Sequence, residues 1–138
     1  MKTFLIPVIV LLSLVACNNK GKEPEKRKDT RVALRSDTTN VVKLTDTLLI
    51  NESTCRGCAY EVSTRFSISD SMGIVQLLRV ETTDNNSPDI AGGNVQKDLV
   101  LVLLKTGTTT IKQYKFYGPE NQAKDSANFN TYTIDVRN

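Results

Sequence analysis

The sequence has no histidine and no tryptophan, and it holds only three cysteines and four prolines among 138 positions. The missing histidine removes the commonest general base and the commonest metal ligand together. Serine and cysteine triads that rely on imidazole are excluded, as are His-ligated zinc and haem sites. No apolar run reaches the roughly 20 residues that a bilayer span requires. The longest such stretch, Phe4 to Val15, is interrupted by Pro7 and Ser13. No internal repeat is visible, and the length suits one domain. Without a leader and a charged stretch at the front, roughly 100 residues remain. That is enough for one core but not for a core and a deep active-site cleft. An enzyme is therefore not expected, and neither is a cofactor or a metal.

The net charge of +3 is unevenly placed. Residues 18–37 carry seven Lys and Arg against four Asp and Glu, a net of +3, whereas residues 38–138 carry ten against eleven, a net of −1. The basic character belongs to the front of the chain. The remainder has no cationic excess of the kind that marks a nucleic-acid-binding face, so no nucleic-acid partner is expected.

Met1-Lys2-Thr3 followed by the apolar run has the layout of a secretory signal. The run closes on Leu14-Val15-Ala16-Cys17. This resembles the lipobox of bacterial lipoproteins, in which a small residue precedes the cut and the cysteine sulfur receives a diacylglyceryl group. The resemblance implies a signal peptide over residues 1–16 and a mature chain beginning at acylated Cys17. It also implies attachment to the bacterial cell envelope. Two or three acyl chains, at about 0.8 kcal/mol per buried CH₂, hold a protein on a membrane. Asn18, in place of the Asp that favours inner-membrane retention in enteric bacteria, points to the outer membrane. Residues 17–37 then read as a lipidated tether. They contain Gly21, Pro24 and eleven charges, with little that could be buried. A flexible tether of this length reaches about 25 Å.

The segment 38–138 reads as all-β. Val42, Leu44, Leu48 and Ile50 share one parity, and Tyr60, Val62, Thr64, Phe66 and Ile68 alternate with polar residues. Asp70-Ser71-Met72-Gly73 predicts a turn, 74–82 a strand, and 84–93 a long loop rich in Asp, Asn and Gly. Leu99 to Leu104 is apolar on both faces, as in a central strand. Lys105-Thr106-Gly107-Thr108 predicts a hairpin turn, followed by a strand over 109–117, a second long loop over 118–128 and a last strand over 129–137. With a further strand near 32–35, this makes six or seven strands. The expected fold is a single antiparallel immunoglobulin-like β-sandwich.

Cys55-Arg56-Gly57-Cys58 admits three readings. With Cys17 acylated, Cys55 and Cys58 are the remaining pair, and in an oxidising compartment they form a structural disulfide. A thioredoxin-type redox pair requires a helix N-terminus beneath the first cysteine, but here the motif runs into a strand pattern. Zinc requires four ligands, and two cysteines without histidine fall short. The disulfide is the expectation.

Gly92-Gly93-Asn94, the run Leu99 to Ile111 with its Lys105-Thr106-Gly107-Thr108 turn, and Tyr114 with Tyr117-Gly118-Pro119-Glu120 resemble the chagasin-type cysteine-protease inhibitors. The first inhibitory loop of that family has its counterpart at Asn51-Glu52-Ser53-Thr54, followed by Cys55 to Tyr60. Two positions depart from the family pattern: Glu52 stands where the family has Pro, and the Trp of the last loop is absent. The resemblance implies an immunoglobulin-like fold with three loops, 51–58, 84–93 and 118–128, gathered at one end. It also implies a binding surface made of Arg56, Gly92, Gly93 and Tyr117. Arg and Tyr are residue types that carry interface energy. The expected function is a membrane-anchored binding module, in its sharpest form an inhibitor whose partner is a cysteine protease. The competing readings are a structural envelope lipoprotein with no small ligand and a thiol–disulfide redox protein using Cys55 and Cys58.

Overall fold

The structure, a computed structural model, describes residues 30–89 and 91–138. The stretch read as a lipobox, Leu14-Val15-Ala16-Cys17, and most of the expected tether lie outside these residues. Among the described residues there are eight strands: β1 (Val32–Ala33), β2 (Thr39–Lys43), β3 (Thr47–Cys55), β4 (Arg65–Ser69), β5 (Val75–Thr83), β6 (Asn94–Leu103), β7 (Gly107–Phe116) and β8 (Phe129–Arg137). A 3₁₀ turn, Pro119–Asn121, and one helical turn, α1 (Gln122–Asp125), interrupt the last loop.

The strands form two four-stranded sheets in the orders β1-β3-β6-β5 and β2-β8-β7-β4. This is an immunoglobulin-like sandwich. The expectation of a purely antiparallel fold holds for the inner pairings and fails at one edge of each sheet. There β1 runs parallel to β3, and β2 runs parallel to β8. The cause is a change of sheet between β1 and β2. Asn40 anchors that change by accepting the Arg35 N–H at 2.9 Å and donating to the Arg35 and Thr133 carbonyls at 2.8 and 3.0 Å. The folded part therefore begins ahead of residue 38. Leu34 N–H donates to Leu49 O at 2.8 Å, and Arg31 pairs with Glu81 at 2.6 Å.

Side chains of both sheets meet in one core. Leu48, Ile50, Leu99 and Leu101 come from one layer, and Val42, Ile111, Ile134 and Val136 from the other, all buried. The parity shared by Val42, Leu48 and Ile50 is real, but these residues do not share a strand. The Asp46 carboxylate accepts the Lys43 N–H at 2.8 Å, and Asp46 N–H donates to Lys43 O at 2.9 Å. This turn carries the chain from β2 in one sheet to β3 in the other, so Val42 faces Leu48 and Ile50 across the core. Leu44 falls on the turn and leaves the core set.

Three further expectations are corrected. Lys105 and Thr106 do not close a hairpin, because β6 and β7 belong to opposite sheets and the segment crosses between them. Tyr60 to Ser63 form turns rather than strand, since Glu61 N–H donates to Cys58 O and Thr64 N–H to Tyr60 O. Val62, which fits the alternation, is 85% exposed. In β5 a bulge between Leu77 and Arg79 shifts the parity: Leu78 sits in the bulge and is exposed, and Val80 comes opposite Leu99 but stays partly exposed at the sheet edge. The turn at Asp70 is present as expected. The Asp70 carboxylate accepts N–H bonds from Met72, Ile74 and Val75 and the Thr109 hydroxyl at 2.6 to 2.9 Å, and so ties the crossover between sheets to β7.

Candidate functional site

The segments 56–64, 84–93 and 117–128 join β3 to β4, β5 to β6 and β7 to β8. They meet at one end of the sandwich. The first of them starts later than the sequence suggests. Asn51 to Cys55 are paired in register with Asp98 to Asn94, so the counterpart of the chagasin Pro loop is strand here. The ladder extends through Cys55 because β6 offers partners along its whole length.

Cys55 and Cys58 are joined by a disulfide across a Cα separation of 5.8 Å. Cys55 ends a strand and Cys58 lies in a turn, so no helix N-terminus is present to depress a thiol pKa. Gly57 between them has φ 72° and donates its N–H to the Glu61 carboxylate. Arg56 faces the second loop. Its N–H donates to Gly93 O at 2.9 Å, its Nε lies 2.8 Å from Asp84 Oδ2, and its Nη1 donates to Ser87 O at 3.2 Å. This guanidinium joins two loops and is not held out as a free anchor.

The second loop is organised around Asp84 and Asn86. Asp84 accepts the Asn86 N–H and side-chain amide at 3.0 and 2.7 Å. Those bonds, with a smaller contribution from the Arg56 charge, hold its carboxyl below the ordinary carboxylate range. Asn86 also donates to Asn94 O at 2.8 Å. Gly92 and Gly93 both have positive φ, 83° and 91°. A Cβ on Gly93 would lie 2.9 Å from Asn86 Oδ1, whereas one on Gly92 would meet nothing within 4 Å. Gly93 thus serves the loop's own packing, and Gly92 leaves an open backbone surface.

The third loop reaches the first through aromatic and hydroxyl contacts. The Tyr60 and Tyr117 rings meet edge to face at 5.8 Å, and Ser63 Oγ donates to Tyr117 O at 2.6 Å. Tyr117 N–H donates to the buried Asp125 carboxylate at 2.7 Å, which pins α1 beneath the loop. Tyr117 is 41% exposed. Of the four residues singled out by sequence, Arg56 and Gly93 hold the loops to each other, and Gly92 and Tyr117 present surface. Tyr60, Asp84, Asn86 and Asp125 escaped sequence reasoning. Only the Asp84-x-Asn86 spacing, an Asx-turn pattern, carried a local signal.

No protein-family model and no curated protein matches the chain. Among solved structures it is similar to the cysteine protease inhibitor EhICP2 from Entamoeba histolytica, at 20% identity and a TM-score of 0.56, over 77% of this chain and 93% of that one. The chain shares the fold of a cysteine protease inhibitor. It is also similar to amebosin, known from a solution structure, at 19% identity and a TM-score of 0.51, over 79% of this chain and 98% of that one. These likenesses bear on the sandwich and its connections.

Proposed function

We propose that the three-loop end of the sandwich binds and blocks a cysteine protease, and that acylated Cys17 displays the domain on a bacterial envelope, with the outer membrane as its site. The observation that carries the reading is the linkage of all three loops into one edge on this fold. Arg56 fastens the first loop to the second, and the Tyr60–Tyr117 contact fastens the first to the third. A pre-joined edge loses little conformational freedom on docking. Tyr117 and the open backbone at Gly92 are the surfaces that would enter a partner's cleft.

The test is a titration of purified protein against a panel of papain-type proteases, following residual hydrolysis of a fluorogenic peptide. Saturable inhibition is expected, with the inhibitor left uncleaved, and Tyr117→Ala should weaken it about tenfold or more, as truncation of an aromatic interface anchor does. Full protease activity at micromolar inhibitor across the panel would rule the reading out.

A further inference from the structure

Beneath the third loop, where the two sheets part, lies an open cleft of about 460 Å³. Its walls come from both layers: Glu52 of β3 on one side, Gln113 and Lys115 of β7 and Asn130 of β8 on the other, with Asp125 in the roof and Phe129 and Tyr117 at the rim. The inward faces of β3 and β7 are apolar in the middle of the core, at Leu48, Ile50 and Ile111, and turn polar at this end. The volume lies within the range of small-molecule sites.

Gln113 is the informative residue. It is 1% exposed, and its Oε1 accepts a hydrogen bond from Asn130 Nδ2 at 3.0 Å. Its Nε2 has no hydrogen-bond partner among the described residues. A buried amide N–H without an acceptor loses its hydration with nothing in return, so such groups are seldom left unmatched. Lys115 Nζ is fixed at 3.3 Å from Glu52 Oε2 and donates to Ser53 O. The lining therefore carries two carboxylates, Glu52 and Asp125, against one ammonium, and offers one unmatched buried donor.

This combination selects a ligand. A guanidinium has no acceptor for Gln113 Nε2. A simple anion has the acceptor but enters a lining of net negative charge. A positive nitrogen beside a carbonyl oxygen satisfies both demands at once. We propose that the cleft binds an α-ammonium group with its adjacent carbonyl or carboxylate oxygen, the chemistry shared by a free α-amino acid and a peptide N-terminus. The oxygen accepts from Gln113 Nε2, the ammonium faces Glu52 and Asp125, and the side chain lies along Phe129 and Tyr117. This site shares Tyr117 with the protease reading but otherwise lies inside the sandwich mouth, so Gln113 and Glu52 test it apart from the loop crests.

The test is ¹⁵N NMR titration of the purified protein with three probes: L-leucine, Leu-Gly amide and N-acetyl-leucine amide. Saturable shifts centred on Gln113, Asn130 and Phe129 are expected with at least one of the first two. Leucine alone identifies a free amino acid as the ligand source, and Leu-Gly amide alone identifies a peptide N-terminus. Gln113→Leu, which removes the amide from a buried position at similar volume, should keep the fold's spectrum and weaken binding at least tenfold. Glu52→Gln should weaken it as well. Absence of saturable shifts with both free-amine probes overturns the proposal. So does equal binding of the acetylated probe, or undiminished binding by a folded Gln113→Leu variant.

Discussion

Arg56 Nε lies 2.8 Å from Asp84 Oδ2 across two loops that are 28 positions apart in the chain. With the Arg56 N–H on Gly93 O, it makes one residue the joint between the disulfide-closed turn and the Gly-Gly loop. The pair is partly exposed, and such pairs add little to global stability. Its effect is local: it fixes where the second loop stands relative to the first.

Replacing Arg56 with Ala should therefore leave the melting temperature nearly unchanged while loosening residues 84–89. Hydrogen-exchange mass spectrometry should show that segment exchanging about tenfold faster, with the core strands unaltered. Unchanged exchange there would mean that the loop is held by Asn86 alone.

Asp70 is expected to be the most sensitive exposed-side position. Asp70→Ala removes the acceptor of four bonds at the crossover between sheets and should cost about 2 kcal/mol or more in urea denaturation. Burial raises its pKa, but the bonds from Thr109, Val75, Met72 and Ile74 outweigh it and hold the carboxyl below its ordinary 3.8. A carboxyl depressed in the folded state stabilises the fold at pH values above its unfolded pKa. That stabilisation fades as pH falls from about 4 through the lower folded value. The parent should lose stability over that acid range more steeply than Asp70→Asn.

The two adjacent glycines should separate in their tolerance. Both have positive φ, so alanine strains either, by roughly 1 kcal/mol. Gly93→Ala adds the contact with Asn86 Oδ1 and should be the more damaging in thermal unfolding. Gly92→Ala should keep the loop intact. Equal destabilisation would show that Asn86 moves aside freely.

Reduction of Cys55–Cys58 should lower stability by about 2 kcal/mol, the loop-entropy value for so short a closure. Alkylation of the unreduced protein followed by mass spectrometry should find neither thiol free. The effect should centre on residues 56–64, leaving the β3–β6 ladder in place, since its pairing continues to Cys55.

Cys17→Ala should release the protein from membranes in detergent-free fractionation of expressing bacteria. The proposed acylation at Leu14-Val15-Ala16-Cys17 needs the thiol of Cys17. A variant that still pellets with membranes would end the lipid-anchor reading.

The β class, most strand positions and part of the core are legible in the sequence, because alternation with period two says which side chains share a face, but Leu44, Tyr60 and Val62 fit that alternation and lie outside the core. The Asp70 turn is legible too, since its bonds to Met72, Ile74 and Val75 are made within a few residues of chain, and the Cys55–Cys58 disulfide is the expected one of three readings. Which sheet each strand joins is not legible in the sequence and follows from contacts made across the fold. Val42 and Ile50 look like one strand in the sequence, but Asp46 places them on opposing layers. Periodicity encodes a face and not a partner. The same limit hid the site. Arg56 finds Asp84, Tyr60 finds Tyr117, and Glu52 finds Lys115 through contacts between segments far apart in the chain. Gln113 reads in sequence as one more polar residue of a strand. Its burial, and the unmatched N–H that gives it meaning, exist only once the two sheets close over it.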